Sequence, residues 1–110
     1  MDKRGIKGGD QWRTQDEDEK ICSRTLDVTD VGTPTGAVTN YTMAVATYPE
    51  GVDVTAAVTS GAMGVLGQTI SLLCIEKLTK GQNYCVVIRY TKDGNNLENR
   101  FYIACPDEEP

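Results

Sequence analysis

The sequence predicts an all-β domain, and three observations carry that expectation. From Ile21 onward Val and Thr are abundant, and apolar residues do not keep a helical period over two turns. Short alternating runs recur about every 8–12 residues. Between the runs lie breaks that carry glycine or proline, as turns require. About six or seven short strands at that spacing read as a sandwich or a small barrel.

Taken in order, residues 1–19 form a charged arm. Lys3, Arg4, Lys7 and Arg13 mix with Asp2, Asp10, Asp16, Glu17, Asp18 and Glu19, and only Met1, Ile6 and Trp12 offer apolar surface. Such a segment does not recover its ordering entropy alone and is expected to be flexible in isolation. Trp12 admits two readings. A lone aromatic in a polar arm serves as a docking anchor, because one Trp buries a large area at low entropic cost. Equally, it packs back on its own domain.

The domain spans residues 20–106. Its expected strands are 20–28, 39–47, 52–59, 68–75, 83–91 and 97–105. The breaks are Gly32-Thr33-Pro34-Thr35-Gly36, Tyr48-Pro49-Glu50-Gly51, Ser60-Gly61-Ala62-Met63-Gly64, Thr79-Lys80-Gly81-Gln82 and Asp93-Gly94-Asn95-Asn96. In the strand after Gln82, Tyr84, Val86, Ile88 and Tyr90 alternate with Cys85, Val87, Arg89 and Thr91. Beyond Asp93-Gly94, Phe101, Ile103 and Cys105 alternate with Arg100, Tyr102 and Ala104. That is a hairpin with one face buried. Ile70 to Ile75 is nearly apolar on both faces, as a doubly covered strand would be. Residues 107–110 form an acidic tail bounded by Pro106 and Pro110 and read as a solvated end.

Ahead of the hairpin, Leu78, Gly81 and Tyr84 stand at the spacing of a structural corner. In immunoglobulin-like and fibronectin-type sandwiches, a tyrosine at such a corner bonds back to the preceding loop and pins the crossing between sheets. The expected fold is therefore an immunoglobulin-like, fibronectin-type β-sandwich with a flexible N-terminal arm. A fold of this kind names no function.

Charge and composition narrow the function classes. Lys and Arg total 11 against 16 Asp and Glu, a net charge of −5. Phosphate would be repelled, so nucleic acid is not an expected partner. The start of the chain lacks the apolar run of a secretory signal, and residues 61–75 are too short and polar to span a bilayer. No membrane association is expected, and the protein is expected to be made and used without crossing one.

Cys22, Cys74, Cys85 and Cys105 are widely spaced and include no Cys-x-x-Cys pair. Zinc is not expected, and the four read as free thiols packed as small apolar residues. The chain has no histidine, so Ser23, Ser60, Ser71 and the cysteines lack the commonest activating base. Glu50, Asp53, Asp93 and Glu98 sit at turns or strand edges and read as solvated carboxylates. Asp93-Gly94-Asn95-Asn96 reads first as a hairpin turn, ahead of any calcium role. No catalytic residue, cofactor or metal is expected.

The order of these segments resembles a known family. A charged arm enters Lys20-Ile21-Cys22-Ser23-Arg24-Thr25-Leu26-Asp27-Val28. Middle strands lead to Gly67-Gln68-Thr69-Ile70-Ser71-Leu72-Leu73, and the end carries Gly81-Gln82-Asn83-Tyr84, a turn, and Arg100-Phe101. Over about residues 16–105 this is similar to the small immunoglobulin-like virion proteins of tailed bacteriophages, of the fibre–tail adaptor type. The cysteines and the longer arm with Trp12 depart from that pattern.

The resemblance implies a non-enzymatic virion structural protein that links fibres or peripheral components to the tail. Its partners would be other tail, fibre or capsid subunits, met in several copies around a symmetric assembly. Its place would be the virion, after synthesis in the host bacterial cytoplasm. A capsid decoration or cement protein, or a host-surface module binding carbohydrate, is the alternative.

Overall fold

The computed structural model describes residues 12–106. Nine strands and one four-residue helix follow in the order β1 (Trp12–Thr14), β2 (Thr25–Asp27), β3 (Val38–Tyr48), α1 (Thr55–Val58), β4 (Thr59–Ser60), β5 (Gly64–Leu66), β6 (Thr69–Ser71), β7 (Cys74–Ile75), β8 (Asn83–Lys92) and β9 (Asn95–Ala104). The described chain is all-β apart from α1. The long strands make a four-stranded sheet ordered β1-β9-β8-β3; β2-β6-β5 and β4-β7 form smaller sheets.

The β8–β9 hairpin sets the register. Val86 stands opposite Phe101, Tyr84 opposite Ile103, and on the other side Val45 pairs with Val86. Val45, Val86, Ile88, Phe101 and Ile103 are fully buried, and they join Leu26, Ile70 and Ile75 of the smaller sheets in one core. The period-2 alternation places this set on one face, and each buried Val, Ile or Phe contributes about 1.5–3 kcal/mol.

Several expected strands are shorter or different. The 20–28 strand resolves into an isolated bridge at Ile21 and the three-residue β2, and the 68–75 strand divides into β6 and β7. The 52–59 strand gives way to a bridge at Asp53, then α1 and β4. The cause is local: the Asp53 carboxylate accepts from the Thr55 backbone N–H (2.9 Å) and hydroxyl (2.7 Å). Side-chain bonding of this kind competes with a sheet ladder.

The arm boundary is also corrected. Residues 12–19 belong to the domain, because β1 pairs in parallel with the end of β9. Gln15 is fully buried, and its amide donates to the carbonyls of Ile75 (2.7 Å) and Glu19 (3.2 Å). Composition alone does not reveal a polar side chain whose donors are taken up by backbone carbonyls, one of them buried. The rest of the expected arm, residues 1–11, and the acidic tail 107–110 lie outside the described residues.

The expectation of four free thiols is corrected for one pair: Cys22 and Cys74 form a disulfide, while Cys85 and Cys105 are free. Ile21 and Ile75 exchange two backbone hydrogen bonds of 3.0 Å, and this brings the neighbouring cysteines to a Cα separation of 4.1 Å. Their 52-residue separation in sequence hides that proximity.

The corner residues lie together beside the core. Leu78 and Tyr84 are buried, Gly81 has φ 84°, and its N–H donates to the Cys105 carbonyl at 2.8 Å. The Tyr84 hydroxyl accepts from the Thr79 backbone N–H at 2.7 Å. Tyr84→Phe is expected to cost about 1–2 kcal/mol in chemical denaturation, since it removes this acceptor and little volume.

At the opposite end, the β8–β9 turn is clasped by the loop that precedes β3. The Asp93 carboxylate accepts from the Thr33 backbone N–H (2.6 Å) and hydroxyl (3.0 Å). A Cβ at Gly32 or Gly36 would fall 2.2 or 2.1 Å from an Asp93 carboxylate oxygen, so glycine makes room for the clasp. The Thr33 backbone bond, then its hydroxyl, lowers the Asp93 pKa. The clasp is therefore complete above the ordinary carboxylate value near ~4 and is lost as pH falls through the lowered one. Protection of the Thr33 amide, taken against the intrinsic exchange rate at each pH, is expected to fall over that acid range in the wild type and to be low throughout in Asp93→Asn.

Candidate docking face

The outer face of the four-stranded sheet carries the residues that alternate with the core: Tyr102 and Arg100 on β9, Cys85 and Arg89 on β8, Ala46 and Tyr48 on β3. Parallel pairing sets Trp12 opposite Tyr102. Their rings stack with centroids 5.0 Å apart and planes 23° apart. Tyr48 meets both edge-on, at 6.0 Å from Trp12 and 4.9 Å from Tyr102. These separations and angles are favourable for aromatic pairs.

The three rings thus gather on the outer face, where Cys85 of β8 lies in register with Tyr102 on one side and Ala46 of β3 on the other. Trp12 remains 50% exposed and Tyr48 40%. Trp12 packs on its own sheet, as the second of its two readings expects, and keeps half its surface exposed. Tyr102 is legible from alternation in the hairpin. Tyr48 was hidden in a Tyr-Pro break, and only the extension of β3 by one residue beyond the expected strand brings it into the cluster.

Next to the rings lies an ionic row. Glu98 holds Arg100 by a hydrogen-bonded ion pair and accepts from Arg89 Nε at 3.2 Å. Arg100, first through its hydrogen bond and then through its charge, lowers the Glu98 pKa, and Glu98 raises that of Arg100 in return. Exposed pairs of this kind add little stability, so their effect is to fix side-chain positions on the face. Burial raises the Cys85 thiol pKa against the opposing influence of Arg100, which leaves a poor nucleophile.

Leu78, Gly81 and Tyr84 belong to the core side and the loop before β8, away from this face. Asp93 is engaged by Thr33, and among the described residues no group of three or more Cys, Asp or Glu side chains is placed to hold a metal. None of the described helices is long and apolar enough to cross a membrane. The chain matches no family model, no curated protein and no solved structure.

Proposed function

We propose that this chain is a non-enzymatic structural protein of a tailed-bacteriophage virion, an immunoglobulin-like, fibronectin-type sandwich that joins fibres or peripheral components to the tail. The observation that carries the reading is the cluster of Trp12, Tyr48 and Tyr102 on the outer face of the four-stranded sheet, in which Trp12 and Tyr48 are exposed. Trp and Tyr are the residues on which interfaces concentrate their binding energy. Prior packing of the rings against one another reduces the ordering cost of a contact. The segment order that resembles fibre–tail adaptors supplies the kind of partner. The Cys22–Cys74 bridge supports an exposed place in the particle, since virion surfaces keep disulfides oxidised.

A stable contact needs roughly 1,000 Å² in total, and several copies around a symmetric ring let modest contacts add. The test is incorporation. Trp12→Ala and Tyr102→Ala proteins are expected to fold but to be depleted from purified particles, because losing a central aromatic weakens a contact by about 2 kcal/mol, or roughly 30-fold. Full incorporation of both variants would refute docking through this face. Co-sedimentation with the capsid lattice and not with tail components would replace the adaptor by a decoration protein.

A further inference from the structure

The strand edges of the molecule differ in how they are closed. An open edge presents unpaired N–H and C=O groups, and proteins blunt such edges with charge, bulges or covering segments. Where β1 does not reach, β9 carries Glu98 and Arg100; β1 carries Arg13 and β2 carries Asp27. β3 is irregular between Thr39 and Thr42 and is covered further on, where the Thr47 N–H donates to the Val52 carbonyl and the Val54 N–H to that of Val45. β5 has none of these devices. It is an edge of the β2-β6-β5 sheet, and no charged residue occurs from Val54 to Ile75. We propose that the β5 edge pairs with the β5 edge of a second copy of this chain, antiparallel about a twofold axis at Val65.

The backbone supplies the bonds. The central strand β6 turns alternate residues toward its two neighbours. The Leu72 N–H donates to the Arg24 carbonyl and the Gln68 carbonyl accepts from the Val28 N–H, so Gln68, Ile70 and Leu72 bond on the β2 side. Thr69 and Ser71 therefore bond Leu66 and Gly64 on the β5 side. The N–H and C=O of Val65 between them are directed away from β6. Two copies of Val65 set opposite each other exchange both bonds, as a hydrogen-bonded antiparallel pair does.

The side chains fit the same axis. Val65 ends the core-facing row of Leu26 and Ile70; those two are fully buried, while Val65 is 38% exposed. On the other face Leu66 is 85% exposed, the most of any large apolar residue described. The twofold sets Leu66 of each copy opposite Gly64 of the other. Nothing lies within 4 Å of the point where a Cβ would stand at Gly64, so the leucine has room. This match is self-complementary, as an isologous contact requires, and it uses up both edges so that growth stops at two. Each copy carries a net charge of −5, and an uncharged edge keeps like charges out of the contact.

Sedimentation equilibrium of the full chain tests the proposal. A monomer–dimer equilibrium is expected over roughly 10 μM to 1 mM, since a three-residue edge falls short of the ~1,000 Å² of a stable contact. Leu66→Glu is expected to weaken the dimer about tenfold or more by burying a carboxylate without a partner. Gly64→Val is the discriminating variant. It makes the edge more apolar and more strand-prone, so unspecific adhesion would grow. On the twofold register it fills the space that Leu66 of the other copy needs, and the dimer is expected to weaken about tenfold. Both positions face open space in the monomer, so the fold is expected to persist, which a circular dichroism melt checks. Trp12→Ala is expected to dimerise like the wild type, because β5 lies in the smaller sheet and not on the aromatic face. The pairing does not depend on the virion reading, and its failure would leave the docking face standing. A chain that stays monomeric at about 1 mM, open-ended aggregation, or a dimer unmoved by both edge variants would overturn it. So would tighter association of Gly64→Val, or loss of the dimer in Trp12→Ala.

Discussion

Replacing Cys22 and Cys74 together by serine is expected to lower the stability of the oxidised protein by about 4 kcal/mol. The bridge closes a loop across a 52-residue separation, and the chain-entropy cost of leaving that loop open in the unfolded state sets the size of the effect. Its position adds a local consequence. The stretch from Trp12 to Cys22 is fastened to β7 by three devices: the Gln15 amide on the Ile75 carbonyl, the paired backbone bonds of Ile21 and Ile75, and the disulfide itself. Without the covalent tie, the two noncovalent ones and the β1–β9 pairing must hold this stretch.

Amide exchange in residues 12–22 should therefore quicken more than exchange in β8. Urea denaturation with and without a reductant measures the global effect. Alkylation of the denatured, unreduced protein should modify two thiols, Cys85 and Cys105. Four modified thiols, or a stability loss well under 1 kcal/mol, would remove the bridge from the account of the fold.

The same stretch shows where the sequence was legible and where it was not. The β8–β9 hairpin could be read almost residue by residue, because alternation between Tyr84 and Tyr90 and between Phe101 and Cys105 is a local signal. The Leu78, Gly81, Tyr84 corner is local too. What escaped was long-range. Cys22 and Cys74 look like unrelated thiols until Ile21 and Ile75 pair. Gln15 looks like part of a solvated arm until Ile75 offers it a buried carbonyl. The aromatic cluster draws one ring each from β1, β3 and β9, and only the sheet order β1-β9-β8-β3 brings them together. Parallel addition of a three-residue edge strand leaves no turn signal, since the connection between its partners runs through most of the chain. The helical turn at α1 was obscured by the valines of residues 52–58, which favour strands, while Asp53 and Thr55 bond locally.

Phe101→Ala is expected to cost about 3–5 kcal/mol, the usual range for emptying a buried aromatic site. The ring is fully buried at the centre of the hairpin, opposite Val86, with Val45 on the next strand. It also lies under the Arg24 guanidinium, 5.7 Å from its centroid. Arg24 depends on that ring: burial, and then the nearby charge of Arg13, lowers its pKa, and its Nη1 is buried without a hydrogen-bond partner. A partly buried cation facing a cavity keeps its desolvation cost and loses the attraction of the π face. Phe101→Leu fills most of the volume but offers no π face, so the difference between the leucine and alanine variants separates cavity from cation–π effects.

Trp12→Ala provides the contrast on the opposite side of the same sheet. Its ring contacts Tyr48 and Tyr102 at half exposure, and its loss is expected to cost about 1 kcal/mol in stability. On the proposed reading, a far larger share of particle binding goes with it. Phe101→Leu should show the reverse, with stability reduced and incorporation kept wherever the protein is folded. If the two variants instead lost incorporation in proportion to stability, the outer face would have no separate part in assembly, and the aromatic cluster would be a packing feature of the β1–β9 edge.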